Sequence, residues 1–452
     1  MGKESTYLFE KESISKAMIA LAVPAILVSV VELIYSMVNQ YFVAQLKNSA
    51  MIAAMSTSTS LDILIDSVGV CIGIGGASYL GRILGAKSDE KAVYETVRTS
   101  MTLCILMTLV HMLLGLAVLK PYIYWQTEDP EVISYAVSYG AIQIVTMVLY
   151  VIRTTCVHLL RAGGDIRYPT NIITISVWIN ILLDPLFMFE WGLNLGIVGV
   201  ALATAVARAF TAVCCLRRLH SHKTAIYWKP LDLHMDKEIV KEILKVGASC
   251  YVRNVLPGLS SAIYNKQVFR FSTDFVAGCA VGKNAAYFLN FFIQGAANGY
   301  LPFASYNYGA KNHKRLYQSM VWSLSVLTAY SLVTDVLLWR YAPAYIGLFA
   351  ANAASVTYGV KYILAYTLSL PVYATYYILT VSLQASGKGR ESMILSVSRQ
   401  GLFYMPLILL LPKWTGEKGI YLTQPLSDWL SVLLALYLSW GLLKEIYERR
   451  TN

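Results

Sequence analysis

The chain has 452 residues, of which 56% are hydrophobic and 14% charged, with a mean hydropathy of +0.53. Soluble domains carry about 25% charged residues, so a chain this long and this poor in charge cannot cover a water-facing surface but can be solvated by lipid. The formal net charge of +11 sits in short loops between apolar runs, where it is a topology signal rather than a nucleic-acid patch.

Met1 to Ser15 has no apolar core, so no cleavable signal peptide is expected. An apolar run of about 20 residues crosses a bilayer as a helix. Such runs lie near 15–43, 52–83, 94–119, 131–158, 169–190, 196–219, 242–270, 275–306, 315–339, 353–382, 391–411 and 419–443. Together they predict an all-α polytopic membrane protein of twelve transmembrane helices. Pro24, Pro302, Pro371 and Pro406 lie inside or near the ends of these runs and predict kinks. Gly69, Gly73, Gly75 and Gly76 make the second span a close-packing helix. The seven cysteines form no CxxC or Cys/His cluster and are expected as small buried hydrophobes.

Loop charge sets the orientation. Lys3, Lys11, Lys16, Lys87, Lys91, Arg98, Arg161, Arg167, Arg217, Arg218, Lys223, Lys229, Lys237, Lys241, Lys245, Lys311, Lys314, Arg315, Lys388, Arg390, Lys444, Arg449 and Arg450 fall on one side. The other side offers Lys47, Lys120, Arg340, Lys413 and Lys418, with Arg270 near a boundary. Both termini are therefore expected in the cytoplasm of a cell whose plasma membrane holds the chain.

The chain also repeats itself. Ala77-Ser78-Tyr79 before Gly85-Ala86-Lys87 resembles Ala304-Ser305-Tyr306 before Gly309-Ala310-Lys311, an offset of 224 from Gly85 to Gly309. Leu160-Arg161-Ala162-Gly163-Gly164-Asp165 resembles Leu383-Gln384-Ala385-Ser386-Gly387-Lys388, an offset of 223 from Ala162 to Ala385. Two halves of six spans each enter the membrane from the same side, which makes them parallel repeats, a transporter architecture. The expected division is a first lobe over 1–219, a polar connector over 220–241 and a second lobe over 242–452.

Ionisable groups at membrane depth need a partner, water or a function. The first half offers Glu32, Asp62, Asp66, Arg153, Asp184 and Arg208; the second offers Arg253, Lys266, Arg399 and Asp428. Asn180 and Asp184, four apart, share a helix face. That pair suits Na⁺ or a proton, or else a cap near the end of the span at Pro185. Asp62 and Asp66, also four apart, suit a shared proton or an ion pair with Arg153 or His111. Glu32 lies two turns before Asn39 on one face. Arg253, Lys266 and Arg399 suit either a cavity for an anionic or zwitterionic solute or snorkelling and pairing. Tyr35 is one of several tyrosines placed to stack on an aromatic solute or to sit in an interfacial belt. No HExxH, GxSxG, Walker A loop or Cys/His set is present, so neither an enzyme nor an ATP-driven pump is indicated.

Leu21-Ala22-Val23-Pro24-Ala25, Gly73-Ile74-Gly75-Gly76-Ala77, Leu160 to Asp165, Asn180 to Pro185, Tyr306-Asn307-Tyr308-Gly309-Ala310 and Ser398-Arg399-Gln400 occur in this order over nearly the whole chain. This set resembles the multidrug and toxic compound extrusion (MATE) family, most of all its prokaryotic, DinF-like branch. The resemblance implies two pseudo-symmetric six-helix lobes, alternating access, and efflux of xenobiotic solutes in antiport against H⁺ or Na⁺. It implies a cation site in the first lobe at Asn180, Asp184 and Thr204, and a bending helix at Pro24. The family usually has an aspartate where this chain has Asn39. Asp184 is then expected as the titrating group, with Glu32 or the Asp62/Asp66 pair supplying a second acid. Arg253, Lys266 and Arg399, with Tyr35, are expected to line the solute cavity and to select against cationic dyes. The expected partners are a small-molecule substrate and the bilayer, with a monomeric chain and no cofactor beyond the coupling ion. A flippase for a lipid-linked precursor, from the same superfamily, is the alternative.

Overall fold

A computed structural model describes residues 3–46, 48–221, 224–229, 232–348 and 352–451, and every regular element among them is helical. A short α1 (Lys3–Glu10) precedes α2 (Ile14–Gln45), α3 (Ser49–Gly85), α4 (Glu90–Gln126), α5 (Pro130–Ala162), α6 (Arg167–Met188) and α7 (Gly196–His220). The second half contains α8 (Lys237–Val268), α9 (Thr273–Gly309), α10 (His313–Gly347), α11 (Ala353–Tyr366) and α12 (Leu370–Ala385). α13 (Gly389–Val397) and α14 (Met405–Thr415) flank a π-helical stretch, Ser398–Tyr404, and α15 (Glu417–Glu448) closes the fold. Helices are what the solvent demands, because lipid offers no donors or acceptors to a backbone. Asn48, Asp89, Asp129, Ser272, Asn312 and Asn352 accept from the first-turn N–H groups that begin α3, α4, α5, α9, α10 and α11.

Among the described residues, ten single helical spans are long and apolar enough to cross a membrane, and the pair α11 and α12, bent by 49° at Thr367–Ser369, makes an eleventh. The remaining long helix, α8, runs 32 residues but carries Lys237, Glu238, Lys241, Glu242 and Lys245 on its first turns.

The sequence repeat is a repeat of backbone geometry. Lys87 and Lys311 both adopt the left-handed conformation, each with φ of 55°. Each ends a 37-residue helix, with the next N–H turning back onto it: Ser88 onto the Ile83 carbonyl at 3.1 Å and Asn312 onto the Asn307 carbonyl at 2.9 Å. Gly164 (φ 88°) and Gly387 (φ 73°) form the second matched turn, with Asp165 and Lys388 donating to Leu160 and Leu383, each at 2.9 Å.

The chain forms two compact units: Met1–Lys11 with Leu27–Asn254, and Glu12–Ile26 with Val255–Asn452. Each unit thus contains the opening stretch of the other half's first helix. In the first unit, Gly69, Gly73 and Gly76 of α3 lie against Thr154, His158 and Leu159 of α5. The opening stretch of α8 crosses α3 antiparallel, backbone on backbone. A Cβ on Gly75 would stand 2.2 Å from the Ile243 carbonyl oxygen, and one on Gly247 would stand 2.2 Å from that of Cys71. Arg82 of α3 pairs with Glu242 of α8 at 2.9 Å beside this crossing. The second unit repeats the device. Gly299 of α9, 224 residues after Gly75, faces Leu21 and Ala22 of α2, and Gly295 faces Ile26.

The connector is not a solvated loop. Ile226 and Trp228 are buried, Ile226 filling the space beside Gly163. Tyr227 stacks on Tyr94 at 4.8 Å, Tyr94 donates to Asp232, and Arg98 pairs with both Asp232 (3.2 Å) and Glu95. The Tyr94 hydroxyl, with Arg98, holds the Asp232 carboxyl below the usual aspartate range.

Two predictions follow from this packing. Gly75→Ala or Gly299→Ala overpacks a helix crossing and should cost about 1–3 kcal/mol, lowering the thermal midpoint of the purified protein. Gly441→Ala, with open space around it, should leave that midpoint unchanged. Because the Asp232 carboxyl is depressed in the folded chain, its contribution to docking is fully present at neutral pH. That contribution is lost as pH falls below about 4 and through the lower folded value. Hydrogen exchange over 224–236 should accelerate in that window, and Asp232→Asn should show the faster exchange already at pH 7.

Candidate functional site

Asp184 is fully buried in α6, and Asn180 one turn earlier donates from Nδ2 to its Oδ1 at 2.9 Å. Asp184 Oδ2 is buried with no hydrogen-bond partner. Pro185 has no N–H, so the Ile181 carbonyl also lacks its helical donor. α6 packs antiparallel on α7: Ser176 Oγ donates to the Ala207 carbonyl at 2.8 Å, and Gly199 lies against Phe187 and Met188. This register sets Asn180 level with Thr204. Thr204, itself buried, shares a 3.0 Å hydrogen bond with the Tyr35 hydroxyl of α2. Asn39, one turn on, donates from Nδ2 to the same hydroxyl at 3.3 Å, while its buried Oδ1 has no partner.

The residues named as a cation site thus form two hydrogen-bonded groups, Asn180 with Asp184 on α6, and Thr204 of α7 with Asn39 of α2 through Tyr35. The polar atoms gathered there are oxygens and amides, with one carboxylate and two unsatisfied oxygens. A buried oxygen without a donor costs about 1–3 kcal/mol, and a proton or a hard monovalent cation removes that cost. With an amide at Asn39, the formal charge of the site is that of Asp184 alone, which a single positive charge balances.

Two other acids of the first half have partners. Glu32 is ion-paired with Arg153, and Asp66 is hydrogen-bonded to Tyr150. The Arg153 and Arg208 guanidiniums lie over the Tyr150 ring at 5.2 and 4.9 Å. Arg208 donates to Gln143 at 2.8 Å, and Gln143 donates to Tyr139 at 2.9 Å. Glu32 and Asp66 thus belong to one aromatic and ionic network rather than to the Asp184 cluster. The side chain of Asp62 lies outside the described residues. Pro24 stands inside an unbroken α2, within the stretch that belongs to the second unit.

The basic residues named for a solute cavity divide between the two units, Arg253 in the first and Lys266 and Arg399 in the second. Arg253 is half-buried in the first unit. Lys266 is exposed near the end of α8. Arg399 is neutralised: its Nε and Nη2 donate to Asp428 at 2.6 and 3.3 Å, and its guanidinium lies 4.2 Å over the Tyr373 ring. Gln424 donates to the same carboxylate at 2.8 Å. Arg399 stands in the π-helical stretch, whose wider turn shifts the register of the side chains that follow.

Two residues escaped the sequence reading. Asp335 of α10 is buried, with Oδ1 unpartnered. It lies between Ser331, which reaches the Leu370 carbonyl at 3.3 Å, and Trp339, which donates to Thr367 at 3.2 Å, and so faces the break between α11 and α12. Lys283 lies eleven positions into α9. Both were visible as single charges inside apolar runs.

Removing one member of a buried pair strands the other at a cost of about 3–5 kcal/mol. Arg399→Met should therefore lower the yield of folded protein sharply, and Arg399→Met with Asp428→Leu should restore much of it, as measured by size-exclusion chromatography and thermal melting.

Against known proteins, the MatE family model matches this chain twice, over residues 24–186 and 250–410. The two matches start at 24 and 250 and end at 186 and 410, in step with the offsets of the internal repeat. The chain is 25% identical over 443 residues to the multidrug export protein MepA of Staphylococcus haemolyticus, covering 98% of this chain and 97% of that one. It is 24% identical to MepA of Staphylococcus aureus, covering 96% of each. Among solved structures, it superposes with a TM-score of 0.90 and 19% identity on an outward-facing multidrug resistance MATE family transporter, covering 100% of this chain and 99% of that one. It superposes equally, at 0.90 and 18% identity over 98% of each chain, on a MOP superfamily transporter from Pyrococcus furiosus. That protein is described as having a binding pocket of reverse polarity that suggests a different function. The chain belongs to the MatE family and is a membrane transporter with multiple helical spans.

Proposed function

We propose that this MatE-family transporter exports small, drug-like organic solutes across the plasma membrane in exchange for H⁺ or Na⁺, by alternating access of two six-helix lobes. The observation that carries this reading is Asp184: a fully buried carboxylate with one oxygen held by Asn180 and the other unsatisfied. Asn39, Thr204 and Tyr35 supply the remaining oxygens. Export of drugs is supported by the likeness to multidrug export proteins over nearly the whole chain.

The coupling follows from the cost of the unsatisfied oxygen. With a cation bound, the Asp184 cluster is neutral and stable in a dry setting. With the cation gone, the carboxylate needs water, which favours the conformation that admits it. A solute and a cation that prefer different conformations then exchange across the membrane. Glu32 and Asp66, engaged by Arg153 and Tyr150, hold the first lobe together and play no part in this exchange. The chain works as a monomer with both termini in the cytoplasm, in keeping with the loop charge.

Reconstituted protein should accumulate solute against an imposed pH or Na⁺ gradient, and Asp184→Asn should reduce gradient-driven transport to that of protein-free vesicles without loss of folded protein. Whichever gradient alone sustains transport identifies the coupling ion. Undiminished coupling in Asp184→Asn refutes the assignment.

A further inference from the structure

Lys283 projects from α9 toward α8, where its ammonium lies 3.0 Å from Ser261 Oγ and 4.3 Å from the centre of the Tyr264 ring. It borders a cavity of about 320 Å³ within the second unit. At 1.5 Å per residue, Lys283 stands about 15 Å along α9 from its first turn, at a depth where a charge needs a partner. Arg153 and Arg399 each have a carboxylate, but among the described residues none lies within ion-pairing distance of Lys283. A lysine ammonium has three donors. One is used by Ser261, and the Tyr264 face satisfies part of the charge. What remains borders a cavity also lined by the Asn265 and Asn284 amides, by Tyr264 and Tyr287 with their hydroxyls, and by Phe269.

We propose that this cavity is a subsite for the anionic group of an amphiphilic molecule, a carboxylate, sulfonate or phosphate on an aromatic or compact apolar body. The ligand supplies the counter-charge that the protein leaves out. Asn265 and Asn284 donate to the same group, and the tyrosine rings cover the apolar part. The volume is at the small end of the roughly 300–1,000 Å³ typical of ligand sites, so one ring and its acid fit, and a large polycyclic dye does not. The occupant is a solute rather than a lipid headgroup, because Lys283 is the one cation among the residues lining the cavity and leaves no second cation to hold a phosphodiester. The inference rests on the export reading for its direction, since a subsite for a transported solute presumes transport, but its binding chemistry stands apart from the Asp184 cluster.

The test is equilibrium binding of benzoate to the full-length protein in uncharged detergent, by titration calorimetry, with benzyl alcohol and benzylammonium as comparisons. Wild type should prefer benzoate to both. Lys283→Met should weaken benzoate at least about tenfold, the worth of one charge-assisted hydrogen bond, while leaving benzyl alcohol alone. Lys283→Arg should restore most of the affinity, which a loss of folding would not allow, and thermal melting checks that each variant is folded. Equal benzoate affinity in wild type and Lys283→Met overturns the proposal. So does preference for benzylammonium, or absence of benzoate binding by wild type. Lys283-dependent binding of phosphatidylglycerol in place of benzoate overturns the solute assignment. No gradient is present in this measurement, so its failure is distinct from failure of the Asp184→Asn transport experiment.

Discussion

Holding an unpaired charge at membrane depth costs several kcal/mol, and the ionisable groups of this chain divide by how they meet that cost. One set meets it with a protein partner. Arg153 has Glu32, and Arg399 has Asp428 and Gln424. Aromatic faces serve as well, Tyr150 for Arg153 and Arg208, Tyr373 for Arg399. These groups join helices and have their charge met without any ligand. The other set, Asp184, Asp335 and Lys283, has only neutral neighbours among the described residues. On the proposed reading, the balancing charge for them comes from solution, as a coupling cation or a solute. The division needs no knowledge of substrate and rests on partners that position in the sequence does not reveal.

The fold was largely legible before any coordinates. Lipid demands long apolar helices, and length and hydropathy report those directly. The repeat was legible because its turns need particular residues. Gly164 and Gly387 sit at positive φ, and Lys87 and Lys311, which have no such excuse, tolerate the same conformation at a cost of about 1–2 kcal/mol. Asn180 and Asp184 were legible because their spacing is one helical turn. Thr204 and Asn39 required the family resemblance, since nothing local connects them to Asp184.

What the sequence hid is long-range pairing. Arg399 looked like a cavity residue because Asp428, 29 positions later, cannot be assigned to it without the packing of α15 on the π-helical stretch. The connector reads as polar because its lysines and histidines dominate its composition, while three aromatic and aliphatic side chains, Ile226, Tyr227 and Trp228, anchor it. Lys283 was passed over for the opposite reason: a single lysine in a long apolar run carries no pattern at all.

The crossing of α3 by the opening stretch of α8, and its counterpart between α9 and α2, has an evolutionary reading. A chain of half this length would fold with a glycine-lined groove on its second helix and a first helix unable to fill that groove itself. Two such chains would satisfy each other by exchanging those first helices, giving a closed, swapped homodimer. Duplication with fusion would then have joined two protomers already committed to each other. In such a lineage the intertwining predates the single chain, and the two halves were free to diverge in charge, one toward a carboxylate without a counterion and the other toward a lysine without one, because neither could dissociate from its twin.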